Sequence, residues 1–365
     1  MLDRFLRYIQ IDSETLYERD FAEVLMKELK ELGFEVEMDD AGEKTGSNSG
    51  NVIAKKKGNK PGKTIMLTAH MDTVTPGKGI KPEIRDGVIY SDGTTILASD
   101  DKAGVAAIME TMERLKEENA DHADIEIVFS IFEEGGLFGA KNMDVSKLES
   151  EYAFVFDSSG DPGQIIVQGP AQYKIDVEFK GKAAHAGVAP ETGVSAIMIA
   201  AEAISNMKLL RIDEETTANI GSIEGGGPTN IVTDSVKIKA EARSLDNDKL
   251  QAQVDHMVKC VKDAQEKYGI EANIKTDLAY SAFKTEEDDE IVKIAKTAMK
   301  NAGLEAVLAK SGGGSDTNIY AGKGMKAVNF GVGMKNCHSV DEHIKVEHLY
   351  QSCELVYQIV KAALD

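Results

Sequence analysis

Histidine and acidic side chains stand where several apolar segments of this 365-residue chain end. His70-Met71-Asp72 closes the apolar run that starts at Thr64, and Asp157 closes a later run. A histidine at a strand end can bind a metal ion through one ring nitrogen, while a carboxylate two residues later holds the other nitrogen. Because three-residue patterns of this kind are common by chance, the interpretation depends on whether further ligand candidates accompany it.

Such candidates recur along the chain at similar positions. They are Asp100-Asp101 before a predicted helix, Glu133-Glu134-Gly135-Gly136 after a predicted strand, and His338 in Asn336-Cys337-His338-Ser339. In open α/β sheets, ligands collect beyond the carboxyl ends of the strands. We therefore expect these segments to meet at one edge of a sheet and to form a metal site. Asp101 is expected to cap the helix that follows it or to anchor the turn, and not to bind metal.

Apolar periodicity predicts the elements that would position these side chains. A helix is indicated by apolar residues at helical spacing from Phe21 to Leu32, with Gly33 where a C-terminal cap belongs. Strands are predicted at about 34–40, 51–57, 64–72, 125–132 and 152–156, with a helix at 102–115. Their apolar character indicates a largely buried sheet. The fold class predicted here is a mixed-sheet α/β domain.

The pattern of apolar and polar residues changes near residue 170. Segments 174–180 and 235–243 alternate apolar and polar residues, as strands with one face in water do, and helices are predicted near 193–207 and 247–268. This order suits an inserted α+β domain of the split βαβ, ferredoxin-like type. A helix near 286–302, strands at 305–309 and 327–332, and a final helix near 346–363 return to the first domain. We predict a discontinuous domain, 1–169 and 280–365, with residues 170–279 inserted.

Composition excludes several classes of partner. The formal charge of −20 argues against nucleic acid, because phosphate binding needs clustered Lys and Arg. No apolar stretch is long enough for a membrane span, and the first residues lack the apolar core of a signal peptide. Three cysteines do not make a disulfide framework, so we expect a reducing cytoplasm.

Taken in order and spacing, these motifs resemble the dinuclear metallopeptidase family that includes peptidase T, glutamate carboxypeptidase and aminoacylase. The motifs are His70-x-Asp72, Ser99-Asp100-Asp101-Lys102-Ala103-Gly104, Glu133-Glu134-Gly135, Asp157, Ala184-His185-Ala186-Gly187 and His338-Ser339. The match covers essentially the whole chain, and the Asp-Asp-Lys-Ala-Gly and Glu-Glu-Gly-Gly elements are most similar to the peptidase T branch. The resemblance implies a catalytic first domain and an inserted domain that serves as a lid or forms a homodimer.

The resemblance also implies two divalent metal ions per chain, with zinc favoured and manganese or cobalt as alternatives. One ion would be held by His70, Asp100 and Asp157, and the other by Asp100, Glu134 and His338. The four positive charges of two divalent ions would balance the charges of three ligand carboxylates and of a hydroxide that bridges the ions. No further charged group is then needed for a neutral cluster.

Two acidic residues beside the ligands receive other roles from the resemblance. Glu133 would be free to act as general base and then general acid. Asp72 would hold the second ring nitrogen of His70 without touching metal. Because adjacent strand residues point in opposite directions, Glu133 and Glu134 can both face the site only at a strand end or bend, which Gly135 and the next glycine permit.

The resemblance also implies substrate-binding residues, which lie in the inserted domain and in one further loop. His185 matches a lid histidine that stabilises the developing oxyanion, often across a dimer interface. Asn230 and Arg243 match positions that bind the substrate backbone or carboxylate, for which Arg offers a bidentate fork. Gly313, in Gly312-Gly313-Gly314-Ser315-Asp316, matches a glycine-rich loop that lies close to substrate.

The sequence leaves several related substrates as alternatives. Release of the N-terminal residue from tripeptides is the leading interpretation, and hydrolysis of dipeptides or N-acyl amino acids is the alternative. The chain has Gly-Gly-Gly-Ser-Asp where peptidase T has a Gly-Gly-Thr-Asp type of loop, and Asn-Cys-His-Ser instead of a His-Gly setting. A non-catalytic dimeric binding protein is a further alternative, disfavoured because it would not need Glu133 beside the ligands.

The remaining histidines are predicted to lie on the surface. Charged neighbours in the sequence favour surface positions for His122, His256, His343 and His348.

Overall fold

The computed structural model describes residues 1–364 of the chain. The helices are α1 (Leu2–Ile9), α2 (Arg19–Glu31), α3 (Ala41–Thr45), α4 (Ser99–Glu117), α5 (Phe138–Asn142), α6 (Ala196–Asn206), α7 (Asn247–Tyr268), α8 (Glu290–Asn301), α9 (Asp316–Gly322) and α10 (Val346–Ala362), with 3-10 turns at Val145–Lys147 and Pro190–Thr192. The strands are β1 (Glu35–Met38), β2 (Val52–Lys56), β3 (Ile65–His70), β4 (Glu83–Arg85), β5 (Val88–Tyr90), β6 (Ile125–Ser130), β7 (Tyr152–Ser158), β8 (Gln164–Gly169), β9 (Ala171–Lys180), β10 (Leu210–Arg211), β11 (Thr216–Gly225), β12 (Ser235–Ser244), β13 (Ala272–Tyr280), β14 (Phe283–Lys284), β15 (Val307–Lys310), β16 (Lys326–Gly331), β17 (Met334–Lys335) and β18 (His343–Lys345).

The chain divides into two compact units. The first contains Met1–Gln168, Lys284–Ser311 and the described chain from Ser315 onwards, and the second contains Gly169–Phe283 together with Gly312–Gly314. None of the helices within residues 1–364 combines the length and the apolar character needed to cross a bilayer.

A nine-stranded mixed sheet forms the centre of the first unit. Its order is β1-β2-β6-β3-β7-β16-β8-β14, and β15 pairs with β8. The neighbours β6, β3, β7 and β16 run parallel, so their carboxyl ends share one edge. Every residue of β3 and of β6 is buried, as the apolar runs predicted. The mixed α/β fold predicted from the sequence is confirmed.

A four-stranded sheet, β17-β18-β5-β4, also belongs to the first unit. The turn between β4 and β5 is Asp86-Gly87, and both residues have positive φ angles of 50° and 76°. An Asp-Gly pair in this conformation is typical of tight hairpins. Periodicity did not predict these strands, because two or three residues are too few to show a repeat.

The second unit is an antiparallel sheet of order β10-β11-β12-β9-β13 with α6 and α7 packed on it. Buried residues alternate along β12, and their side chains form a hydrophobic core separate from that of the first unit. Along the chain the order is β9, α6, β11, β12, α7 and β13, with the short β10 before β11. This is a split βαβ arrangement, which the alternating apolar and polar residues indicated.

Gly104 allows α4 to pack closely on β7. A Cβ atom at Gly104 would lie 2.3 Å from the backbone oxygen of Phe156 and 2.7 Å from Oδ1 of Asp101. We expect Gly104→Ala to lower the free energy of unfolding by about 1–3 kcal/mol through overpacking. The matched control is Gly322→Ala at the end of α9, where nothing lies within 4 Å of the new Cβ. Urea unfolding of both variants checks this prediction, and equal stabilities would contradict it.

Candidate metal centre

Three neighbouring strands bring candidate ligands to one edge of the large sheet. His70 is the last residue of β3, and Asp157 lies near the end of β7, which pairs in parallel with β3. Glu133 and Glu134 follow β6, which pairs in parallel with the other side of β3. The carboxyl ends of these strands therefore place an imidazole and three carboxylates together, at the position where open α/β sheets bind ligands.

The segment around Asp100 reaches the same edge from the start of α4. Asp100 and Asp101 have non-helical backbone angles, the peptide bond between them is cis, and regular helix begins after them. The buried Asp101 accepts hydrogen bonds from the backbone N–H of His70 at 3.2 Å and of Gly104 at 3.3 Å. Asp101 therefore anchors the turn and the first helical residues, as the sequence indicated.

Asp100 lies between two histidines. His70 Nε2 is 3.1 Å from Asp100 Oδ1 and 3.9 Å from Asp157 Oδ1. His338 Nε2 is 3.3 Å from Asp100 Oδ2 and 3.0 Å from Glu134 Oε2. Each carboxylate oxygen of Asp100 thus faces a different histidine, so the residue lies where two sets of donor atoms meet.

The donor atoms fit metal ions in overlapping sets. These sets are His70-Asp100-Asp157, Asp100-Glu134-His338 and His70-Glu133-Glu134, and the donor atoms of each set lie within 4.8 Å of one another. Glu134 Oε1 is buried without a hydrogen-bond partner, so this oxygen is available to bind a cation. Imidazole nitrogen and carboxylate oxygen are donors that zinc, manganese and cobalt accept.

The electrostatics of the cluster also favour a cation. Burial raises the pKa of Glu133 and of Asp157, and the charge of Asp157 raises that of Glu133 further. Hydrogen bonds to Asp100 and Glu134 raise the pKa of His338 to about 10. Although burial alone would raise the pKa of Asp100, its bonds with His338 and His70 lower it well below the usual range. So many buried carboxylates need positive charge beside them, and bound metal ions would supply it.

The turn after β6 lets two adjacent glutamates face one site. Phe132 has a φ of 50°, and a Cβ atom at Gly135 would lie 1.6 Å from the Phe132 ring, so any other residue at this position would require the ring to move. Side chains accept the four consecutive backbone N–H groups of this turn: Asn51 from Ile131 at 3.0 Å, Glu18 from Phe132 at 3.1 Å, and Asp72 from Glu133 at 2.9 Å and Glu134 at 3.2 Å. The bend expected from the adjacent glutamates is therefore held by buried acceptors.

The position of Asp72 differs in detail from the sequence expectation. The second ring nitrogen of His70, Nδ1, lies 2.8 Å from the backbone oxygen of Asp72 and 3.5 Å from its carboxylate Oδ1. The carboxylate makes its shorter bonds to the backbone of Glu133 and Glu134 and to Thr15 Oγ1 at 2.8 Å. Two residues after His70 the chain turns, so the backbone carbonyl is the nearer acceptor for the ring. The Asp72 carboxylate mainly supports the glutamate turn.

Replacing Asp72 with Asn should weaken this support while preserving side-chain volume. The new amide N–H₂ would face one of the backbone donors that the carboxylate now accepts. We expect kcat/KM to fall by about 10- to 100-fold, the usual effect of losing a partner behind a metal site. Thr15→Val, which removes only one of the three donors to Asp72, is the control and should have a smaller effect. Steady-state kinetics of both variants measure this, and an unchanged Asp72→Asn enzyme would contradict the assignment.

The four predicted substrate residues lie in the second unit. His185 and Asn230 are exposed on adjoining segments, since the N–H of Ala186 donates to the backbone oxygen of Asn230 at 2.8 Å. Arg243 is half-buried on β12 and pairs with Glu241 at 2.9 Å. Gly313 is exposed.

Two of the remaining histidines are not on the surface. His122 and His348 are buried, with exposed fractions of 7% and 6%, whereas charged neighbours in the sequence favoured exposure. His122 Nδ1 lies 2.8 Å from the backbone oxygen of Ala123, so a local carbonyl satisfies the ring. The surface prediction for these two residues is wrong, because nearby charges in sequence do not fix the direction of a side chain.

Sequence reasoning also missed buried carboxylates that support the site. Glu18 binds the turn before Glu133, and Glu342 binds the segment that ends at Asp100. Neither residue belongs to a motif. The sequence indicated a role for Glu342 only through its position four residues after the candidate ligand His338. Nothing in the sequence indicated a role for Glu18.

Imidazole and carboxylate groups gather at the carboxyl edge of a mixed α/β sheet in sets that could hold metal ions. Residues 66–362 match the profile of "Peptidase family M20/M25/M40", which covers well over half of the chain. The chain belongs to this peptidase family, and the family resemblance seen in the sequence motifs is confirmed.

Three relatives span almost the full length of the chain. The uncharacterized protein YqjE of Bacillus subtilis is 47% identical and is matched over 100% of this chain and 98% of its own. The crystal structure of aminopeptidase PepT from Bacillus cereus is 46% identical, with a TM-score of 0.92 over 99% of this chain and 97% of that chain. A tripeptidase structure from Staphylococcus aureus is 40% identical, with a TM-score of 0.95 over 99% and 96%. The chain is an enzyme of the peptidase type and resembles the peptidase T branch.

Proposed function

We propose that this peptidase removes the N-terminal residue from tripeptides with the help of two divalent metal ions. The observation that carries the proposal is the shared position of Asp100, whose two carboxylate oxygens face His70 and His338 separately. The similar solved proteins are an aminopeptidase PepT and a tripeptidase, which supports cleavage at the amino end of short peptides.

Five side chains would hold the ions. His70 and Asp157 would bind one ion, Glu134 and His338 the other, and Asp100 both. Zinc suits this mixture of nitrogen and oxygen donors, and manganese or cobalt would also be accepted. When bound, the ions would acidify a water molecule and polarise the scissile carbonyl.

Glu133 would carry the proton during hydrolysis. Its buried carboxylate stands beside the ligand set, and the charge of two divalent ions is balanced without it. The carboxylate would accept a proton from the attacking water and then donate it to the nitrogen of the leaving amine. The turn that contains Glu133 has four backbone N–H groups bound by side chains, and these bonds would keep Glu133 oriented for both transfers.

Four residues of the second unit would contact the substrate, because they match substrate-binding positions in the family motifs. His185 would stabilise the developing oxyanion, and Asn230 would bind the peptide backbone. Arg243 would pair with the terminal carboxylate through its guanidinium fork, and Gly313 would let a peptide approach the loop backbone. Arg243 now pairs with Glu241, so substrate would compete with that ion pair.

The second unit would also form a homodimer. Val188, Met198, Leu210 and Ile223 are apolar side chains of this unit that are more than half exposed, and covering them would stabilise an interface. Light scattering should give the mass of two chains, and a monomer would contradict this assignment. Cys260, Cys337 and Cys353 are free, which supports a reducing cytoplasm as the location.

A rate panel tests the proposed substrate. Tripeptides, N-blocked tripeptides, dipeptides and N-acyl amino acids are offered to the enzyme with zinc, manganese or cobalt. We expect the highest kcat/KM for tripeptides with a free amine, together with release of the N-terminal residue. Activity confined to N-acyl amino acids would contradict the proposal.

A further inference from the structure

Glu342 is a buried carboxylate outside the candidate ligand set. Only 1% of the residue is exposed, and its two oxygens accept four hydrogen bonds from one segment. Oε2 accepts from the backbone N–H of Leu97 at 2.8 Å and of Ala98 at 2.9 Å. Oε1 accepts from Ser99 Oγ at 2.6 Å and from the N–H of Asp100 at 2.9 Å. This carboxylate therefore fixes the chain that presents the shared ligand Asp100.

The same residue anchors the turn that carries His338. The N–H of Glu342 donates to the backbone oxygen of Ser339 at 3.1 Å, and Ser339 Oγ donates to the oxygen of Asn336 at 2.8 Å. Asn336 and His338 have positive φ angles of 52° and 64°, which non-glycine residues adopt only where the surroundings hold them. The backbone of Glu342 thus binds the His338 turn, while its side chain binds the Asp100 segment.

The two proposed ion positions differ in how their ligands are supported. His70 and Asp157 belong to β3 and β7, whose parallel pairing fixes their spacing. The side chain of His338 is 55% exposed and lies outside the large sheet. Its distance from Asp100 therefore depends on the β17–β18 hairpin that carries it and on the connection through Glu342.

We propose that Glu342 is a positioning residue that sets the distance between His338 and Asp100 and so determines the affinity of the ion they would share with Glu134. The inference rests on the proposed two-ion function. Its consequence is unequal: loss of the Glu342 acceptors loosens two ligands of this ion, Asp100 and His338, but only the shared Asp100 at the other ion, which keeps His70 and Asp157 on paired strands.

Glu342→Gln tests the inference, because it keeps the volume of the side chain but replaces one acceptor oxygen with an amide donor. Metal-free protein is titrated with Co²⁺, and calorimetry and visible absorption follow each bound ion. We expect the wild type to bind two ions per chain. In Glu342→Gln, the Kd of one ion should rise by about 10- to 100-fold, while the Kd of the other should rise much less because only its shared ligand Asp100 is loosened. Saturating Co²⁺ should restore kcat for tripeptide hydrolysis.

Glu126→Gln is the matched control for a purely structural effect. Glu126 is also buried and also accepts backbone N–H groups, from Glu149 at 3.0 Å and Ser150 at 2.9 Å. It lies near the start of β6, whereas Glu133 follows the end of that strand. The control should lose stability in thermal unfolding but bind both ions with wild-type affinity. Ser99→Ala, which removes one of the four donors to Glu342, should give a smaller selective shift and serves if Glu342→Gln does not fold.

Three results would overturn the inference. Wild-type affinity for both ions in Glu342→Gln and Ser99→Ala would show that the carboxylate does not set the site. Equal weakening of both ions, or the same weakening in Glu126→Gln, would indicate a general loss of stability. A wild-type chain that binds fewer than two ions would contradict the proposed function itself, and the wild-type titration distinguishes that failure from the other two.

Discussion

Glu133→Gln is expected to lower kcat for tripeptide hydrolysis by about 100- to 10,000-fold, the usual contribution of general acid–base catalysis. The amide keeps the shape of the side chain but cannot accept a proton from water or return it to the leaving amine. Because the proposed ligands are His70, Asp100, Glu134, Asp157 and His338, both ions should remain bound. The expected signature is therefore an inactive enzyme with full metal content.

Metal analysis and single-turnover kinetics check this expectation on one preparation. Glu126→Gln is the control, since it changes a buried glutamate near the opposite end of the same strand. It should retain the wild-type kcat. Near-normal turnover by Glu133→Gln would rule out its role as proton carrier, and loss of an ion would make Glu133 a ligand, as its grouping with His70 and Glu134 allows.

Asp100→Ala is expected to remove both ions together. Asp100 is the one residue common to the sets that contain Asp157 and His338, so its loss leaves each ion with two of three protein ligands. Activity should fall by at least about 1,000-fold, because ions of this kind supply several kcal/mol of transition-state stabilisation and each 1.36 kcal/mol is tenfold in rate.

His338→Ala and Asp157→Ala are the matched comparisons for Asp100→Ala. Each belongs to only one of the two sets, so each variant should keep one ion per chain. Equilibrium dialysis followed by elemental analysis gives the three stoichiometries. One ion retained in Asp100→Ala would contradict a shared ligand.

The strand-borne part of the site could be predicted from sequence. His70 and Asp157 end apolar runs that become the buried parallel strands β3 and β7, so hydrophobic periodicity alone placed them at one sheet edge. Gly33 closes α2 with a φ of 85°, as a C-terminal cap requires. These features follow from local patterns, which sequence carries directly.

The supporting residues could not be predicted in this way. Glu18 and Glu342 act by accepting backbone N–H groups of segments more than 100 residues away, and such pairings depend on how the finished fold brings the chain together. The Asp72 carboxylate binds the backbone of Glu133 and Glu134 for the same reason, since these donors lie about 60 residues away in the turn after β6. Burial of His122 and His348 likewise depends on tertiary packing.

The proposed two-ion site combines the His70-Met71-Asp72 segment with Asp100, whose two oxygens would join the ions. The measurement that tests this claim most directly is anomalous diffraction from crystals grown with zinc or manganese. Two anomalous peaks should lie beside Asp100 in each chain, one at His70 and Asp157 and the other at Glu134 and His338. A single peak, or peaks that do not touch Asp100, would contradict the account.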